Sequence, residues 1–146
     1  MLKRLLATAV LLALALPTAA QDACSELSLT REIGPRDNAA MSSMIVEVAG
    51  APALSPTWLA IGLSDEGMVL DLGGDRILKL GIAQPIAMPF LGRTNERGSV
   101  SRTFMIPNNL DLLVYTQAIT VEMRQTDVSS RATLAFCTSN VARMEL

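Results

Sequence analysis

From Met44 onward, apolar side chains recur at every second position of this chain. Met44, Val46 and Val48 alternate with Ile45, Glu47 and Ala49, and Ala132, Leu134 and Phe136 alternate with Arg131, Thr133 and Ala135. A two-residue period is the spacing of a strand, whose successive side chains point to opposite faces, whereas a helix buries a face every 3.6 residues. Residues 112–123, LLVYTQAITVEM, form the longest such run and are rich in β-branched residues. Residues 57–63 are apolar on both faces, which predicts a central strand. In 99–106, Val100, Phe104 and Ile106 share one face, and Arg102 is the exception on it.

Turn signals separate these runs at short intervals: Gly34-Pro35, Ala51-Pro52, Ser55-Pro56, Asp65-Glu66-Gly67, Gly73-Gly74-Asp75 and Pro107-Asn108-Asn109. Residues 37–43, DNAAMSS, offer one helical turn with Asp37 or Asn38 as its cap. Many short strands with such punctuation predict an all-β fold, an antiparallel β-sandwich of immunoglobulin-like or jelly-roll-like type. Aromatic residues make up only 3% of the chain, so the core must be built from Val, Ile, Leu, Met and Ala. Met41, Met44, Met68, Met88, Met105 and Met123 mostly alternate with other apolar residues, which favours core filling over a thioether metal site.

Residues 1–20 carry a different message. Lys3 and Arg4 precede an apolar run from Leu5 to Leu16, Pro17 breaks it, and Thr18-Ala19-Ala20 supplies small residues. This is the pattern of a signal peptide cleaved near Ala20, leaving residues 21–146 as a single β-sandwich domain, periplasmic or extracellular. Nothing after the signal approaches membrane-spanning length, so no membrane span is expected. Removing Lys3 and Arg4 from the 12 basic residues, against 14 acidic ones, gives the mature chain a net charge of −4. That balance argues against nucleic acid or anionic lipid as partner, because both need a concentrated positive footprint.

Export also gives the two cysteines a reading. Cys24 and Cys137 lie near the two ends of the mature chain, and in an oxidising compartment they predict one disulfide. Such a bridge restricts the unfolded chain by about 4–5 kcal/mol in the entropy model. It requires the first and last strands to be neighbours. Cys137 falls on the opposite face from Phe136, which places the bridge at a sheet edge or near a bulge. The competing reading is lipidation of Cys24, although Gln21 stands where a lipobox wants Leu.

The half from Ala51 onward has a grammar of its own: APALSP, TWLAIGLS, MVLDLGG, GSVSRTFMIPNN, LLVYTQAITV and CTSNVARMEL. With its Pro-Asn turn, Tyr-x-Gln-Ala strand and late Ser-Asn, it resembles a group of bacterial secreted β-sandwich modules of unassigned function. The resemblance covers about 95 residues and implies fold and export, with no catalytic residue to transfer. The chain lacks the group's mid-chain Gly-Cys pair, and its 123–131 connection, MRQTDVSSR, is more polar and charged. Gln117 and Asn140 match recurrent polar positions of the group, where an amide hydrogen-bonds backbone at strand ends.

The chain contains no His, which removes Ser-His-Asp and Cys-His nucleophiles and most zinc sites. Glu47, Asp65, Glu66, Asp71, Asp75 and Glu122 supply carboxylates, but no two stand out as a glycosidase pair. Asp65, Asp71 and Asp75 are the best calcium candidates, and ordinary turn roles explain them better, so no metal and no cofactor are expected. The loop 92–99, GRTNERGS, carries Arg93, Asn95, Glu96 and Arg97 and reads either as a recognition loop or as a solvated hairpin tip. Trp58, the single Trp, reads as a core anchor. The expectation is an exported, non-catalytic binding module for an unknown protein or glycan. The alternative is a self-associating structural subunit, a homo-oligomer of the envelope or extracellular matrix, and an uncharacterised hydrolase comes third.

Overall fold

The computed structural model describes residues 24–33, 40–73, 76–125 and 132–146. These residues form nine strands: β1 (Glu26–Ile33), β2 (Met41–Ala49), β3 (Pro56–Gly62), β4 (Met68–Gly73), β5 (Arg76–Leu80), β6 (Phe90–Arg93), β7 (Val100–Pro107), β8 (Leu113–Gln125) and β9 (Ala132–Glu145). The expected all-β architecture is the one observed, and its sheets are antiparallel and consistent with a sandwich. The expected signal peptide, Gly34-Pro35 and Asp75 lie outside the described residues. So do positions 37–39 of the expected helical turn, while Met41–Ser43 open β2 instead, paired with β7 and, from Ser42, also with β1.

The strands stack in three layers. A three-stranded sheet, β1-β2-β7, faces a four-stranded sheet, β6-β3-β8-β9, and the β4-β5 hairpin forms a third layer. Met44, Val46 and Val48 of β2 project inward and pack with Leu27, Leu59, Leu91 and Ala118 in the first core. Glu47 on the other face of β2 is exposed, as the alternation requires. The hairpin pairs Met68 with Leu80 and Leu70 with Leu78, and this row meets the outer face of the four-stranded sheet. Leu78, Leu80 and Ile82 are buried there against Ala60 and Ile119. The two apolar faces of β3 thus have a physical cause: Leu59 belongs to one core and the adjacent Ala60 to the other.

The two large sheets are tied at both lateral edges. At one, the Cys24–Cys137 disulfide forms as expected, with Cα atoms 5.5 Å apart. The Cys24 N–H donates to the Thr138 carbonyl at 3.2 Å, and the Leu27 N–H donates to Asn140 Oδ1 at 2.9 Å. The bulge anticipated beside Cys137 is present. Gln117 pairs with Val141 and Ile119 with Thr138, so β9 carries one extra residue between them. That insertion is why Phe136 and Val141, five positions apart, both face the hairpin. At the other edge, the Arg102 guanidinium lies 5.3 Å over the Phe104 ring and donates to the Phe90 carbonyl. Arg102 interrupts an apolar face because it links β7 to β6.

Replacing both cysteines with Ser should cost about 2–5 kcal/mol of stability in denaturant unfolding. Amide exchange should accelerate first at Leu27 and Asn140, on the clasped edge, while Leu78 and Leu80 keep their protection.

Candidate functional site

The site begins with a proline. Pro56 opens β3, and the last pair between β3 and β8 is Thr57 with Thr120, yet β8 continues to Gln125 with β9 alone beside it. Within β8, the Ala118 N–H points toward β9, where it donates to Ser139 Oγ at 2.8 Å. The Leu59 N–H of β3 points the other way, to the Pro89 carbonyl at 2.9 Å. Backbone groups alternate sides along a strand, so the odd-numbered residues Ile119, Val121 and Met123 direct theirs toward the β3 side. Pro56 sits opposite Val121 and has no N–H to offer it. The ladder stops there, and β8 and β9 project beyond it as a ribbon.

The wall facing this ribbon is the 52–55 turn, and a buried threonine holds it. Thr94, almost fully buried, donates through Oγ1 to the Pro52 carbonyl at 2.6 Å and accepts the Ser55 N–H at 2.9 Å. Its own N–H donates to the Ser55 carbonyl at 3.0 Å. Asn95 organises the next turn, its Oδ1 accepting the N–H groups of Arg97 at 2.9 Å and Ser99 at 3.0 Å. Gly98 has φ +76°, and a Cβ there would overlap the Ala51 carbonyl oxygen, so only glycine fits. The loop 92–99 is therefore a rigid structure fastened to its neighbour.

Between turn and ribbon lies an open cleft of about 420 Å³, lined by Leu54, Pro56, Arg93, Val121, Met123 and Leu134, among others. That volume falls within the roughly 300–1,000 Å³ usual for ligand clefts. Met123 is 72% exposed and Leu54 61% exposed, as much as Val69 and Ile86 elsewhere on the surface. Leu54 also has φ +55°, a left-handed conformation that costs a non-glycine residue about 1–2 kcal/mol. The opposite end of the four-stranded sheet's outer face is covered by the hairpin; this end is open.

The expected site residues divide here. Arg93 lines the cleft, whereas Glu96 and Arg97 are exposed at the loop tip. Asn95 is a builder of the loop, because its carboxamide oxygen is used by backbone. Asp71 Oδ1 accepts the Gly73 N–H at 2.8 Å, the ordinary turn role, and Asp65 is exposed in a separate loop. Among the described residues no group of three or more His, Cys, Asp or Glu side chains could hold a metal ion. Trp58 is half-buried, its ring 5.2 Å from that of Phe90. Leu54, Thr94 and Met123 carried no signal of a site; Ser55-Pro56 was legible only as a turn.

Gln117 and Asn140 do hydrogen-bond backbone, but from within β8 and β9 rather than at strand ends. Gln117 Oε1 accepts the Gly81 N–H at 2.8 Å, and its Nε2 donates to the Ser139 carbonyl at 2.8 Å. One buried amide thus joins the hairpin, β8 and the β9 bulge. The chain matches no protein-family model, no curated protein and no solved structure.

Thr94→Val keeps the shape of the side chain and removes its hydroxyl. The Pro52 carbonyl and Ser55 N–H then lose their partner, and thermal or denaturant unfolding should report a loss of about 1–3 kcal/mol.

Proposed function

We propose that this chain is an exported, non-catalytic binding module whose recognition surface is the cleft between the 52–55 turn and the β8-β9 ribbon. The observation that carries this reading is Leu54, held in a strained conformation with its apolar side chain in solvent. Strain and exposure together oppose stability, and they persist where recognition uses them. The rigid loop supports the same reading, since Thr94 and Asn95 fasten a scaffold from which Arg93, Glu96 and Arg97 project. Export to the periplasm or beyond is supported by the signal-like leader and the Cys24–Cys137 disulfide. The motifs shared with secreted β-sandwich modules agree with that location.

A second reading, self-association, is favoured by the exposed Met123 and Leu134 on the ribbon. The two readings part on one measurement. Photocrosslinking amino acids are placed at Glu96, at Met123 and, as a control, at the exposed Ser101 on the outer face of the three-stranded sheet. Crosslinking in the producing cell should give a discrete heterologous adduct at positions 96 and 123 and none at 101. Adducts of twice the chain mass would favour self-association, and equal labelling at all three positions would remove the cleft as a site.

A further inference from the structure

We infer that the cleft takes an extended peptide segment of a partner protein, added as a strand along β8, with an acidic side chain on Arg93. This rests on the recognition reading of the same cleft. The backbone gives the reason for a peptide. The Val121 carbonyl faces Pro56, which has no N–H, and the N–H and carbonyl of Met123 face the same side beyond the end of β3. β3 begins at Pro56, so no residue of β3 stands opposite Met123. Vacant ladder positions on an open strand are a template for another chain. A glycan would seek aromatic platforms, and neither Trp58 nor Phe90 lines the cleft. An acyl chain would leave the ladder groups unmatched.

Side chains supply the register. In an added strand alternate residues point to one face, and on that face Val121, Met123, Leu134 and Leu54 offer an apolar surface. Arg93 borders it and forms no ion pair among the described residues, whereas Glu122, the other charge at the cleft, has an interaction of its own. The segment that fits is β-prone and apolar at every second residue, with a carboxylate placed to meet the guanidinium. Arg suits that contact because its fork binds both oxygens of a carboxylate.

The disulfide-bonded mature chain, isotopically labelled, is titrated with the peptide acetyl-Thr-Val-Glu-Val-Thr-amide and with its Glu-to-Lys counterpart. Amide shifts should concentrate at Leu54, Arg93, Val121 and Met123, and the Glu peptide should bind about fivefold more tightly than the Lys peptide. Arg93→Glu should reverse that preference. N-methylating alternate amides of the Glu peptide should weaken it about tenfold by removing ladder donors. Leu54→Gly should raise the melting temperature and weaken the peptide, separating binding from folding. Absence of shifts at millimolar peptide, indifference to N-methylation, or shifts that vanish on dilution because two copies pair would each overturn the inference. If the peptides fail while the heterologous adducts at positions 96 and 123 persist, the peptide assignment falls and the recognition cleft stands. If both fail, the cleft is not the site.

Discussion

Ala118 and Ile119 are neighbours in sequence and belong to different cores, and this double burial of β8 is what the other layers depend on. Ala118 meets the β1-β2-β7 sheet, and Ile119 meets the β4-β5 hairpin. A strand buried on one face has its register set by its pattern, because slipping one residue would turn its apolar set to solvent. A strand buried on both faces lacks that discrimination. Polar pins supply it. Thr57 Oγ1 lies 3.3 Å from Thr120 Oγ1 across the β3-β8 pair. Gln117 joins Gly81 to Ser139, and Ser139 Oγ accepts the Ala118 N–H. Each bond is possible in one register only, and breaking one would leave a buried polar group unsatisfied.

The lateral edges show the same logic applied to exposed backbone. Open strands invite unwanted pairing, and β1 and β9 are clasped by the disulfide and by Asn140, while Arg102 ties β7 to β6. Against those ties, the notch at Pro56 stands out. There β8 continues past its partner, the flanking turn holds Leu54 in a strained conformation, and buried Thr94 keeps the wall in place. Stability elsewhere sustains a local arrangement that is unfavourable by itself.

Much of the scaffold was legible because strand burial has a two-residue period. Met44, Val46 and Val48 announced β2, and the two apolar faces of 57–63 announced a central strand. The position of Cys137 relative to Phe136 pointed to a sheet edge or a bulge, and the structure has both. The third layer was not legible, since the hairpin around Leu70 and Leu78 reads as one more half-exposed ribbon. Thr94 was equally silent, because a buried threonine and a solvated loop threonine look alike in a polar run such as GRTNERGS. Leu54 was misleading in kind: a left-handed turn position is normally marked by Gly or Asn, and a leucine gives no warning.

By itself, the sequence determined the strand-based fold class and favoured a disulfide over lipidation of Cys24, and its lack of His excluded His-based catalysis. These follow from periodicity, from a count and from the chemistry of single side chains, all of which are local properties. Tertiary structure alone decided which face of each strand met which layer, why Arg102 sits among apolar residues, and where β8 outruns β3. Those depend on contacts between residues far apart in the chain. The open cleft exists because a proline on one strand falls opposite a valine on another, and only the folded register brings Pro56 and Val121 together.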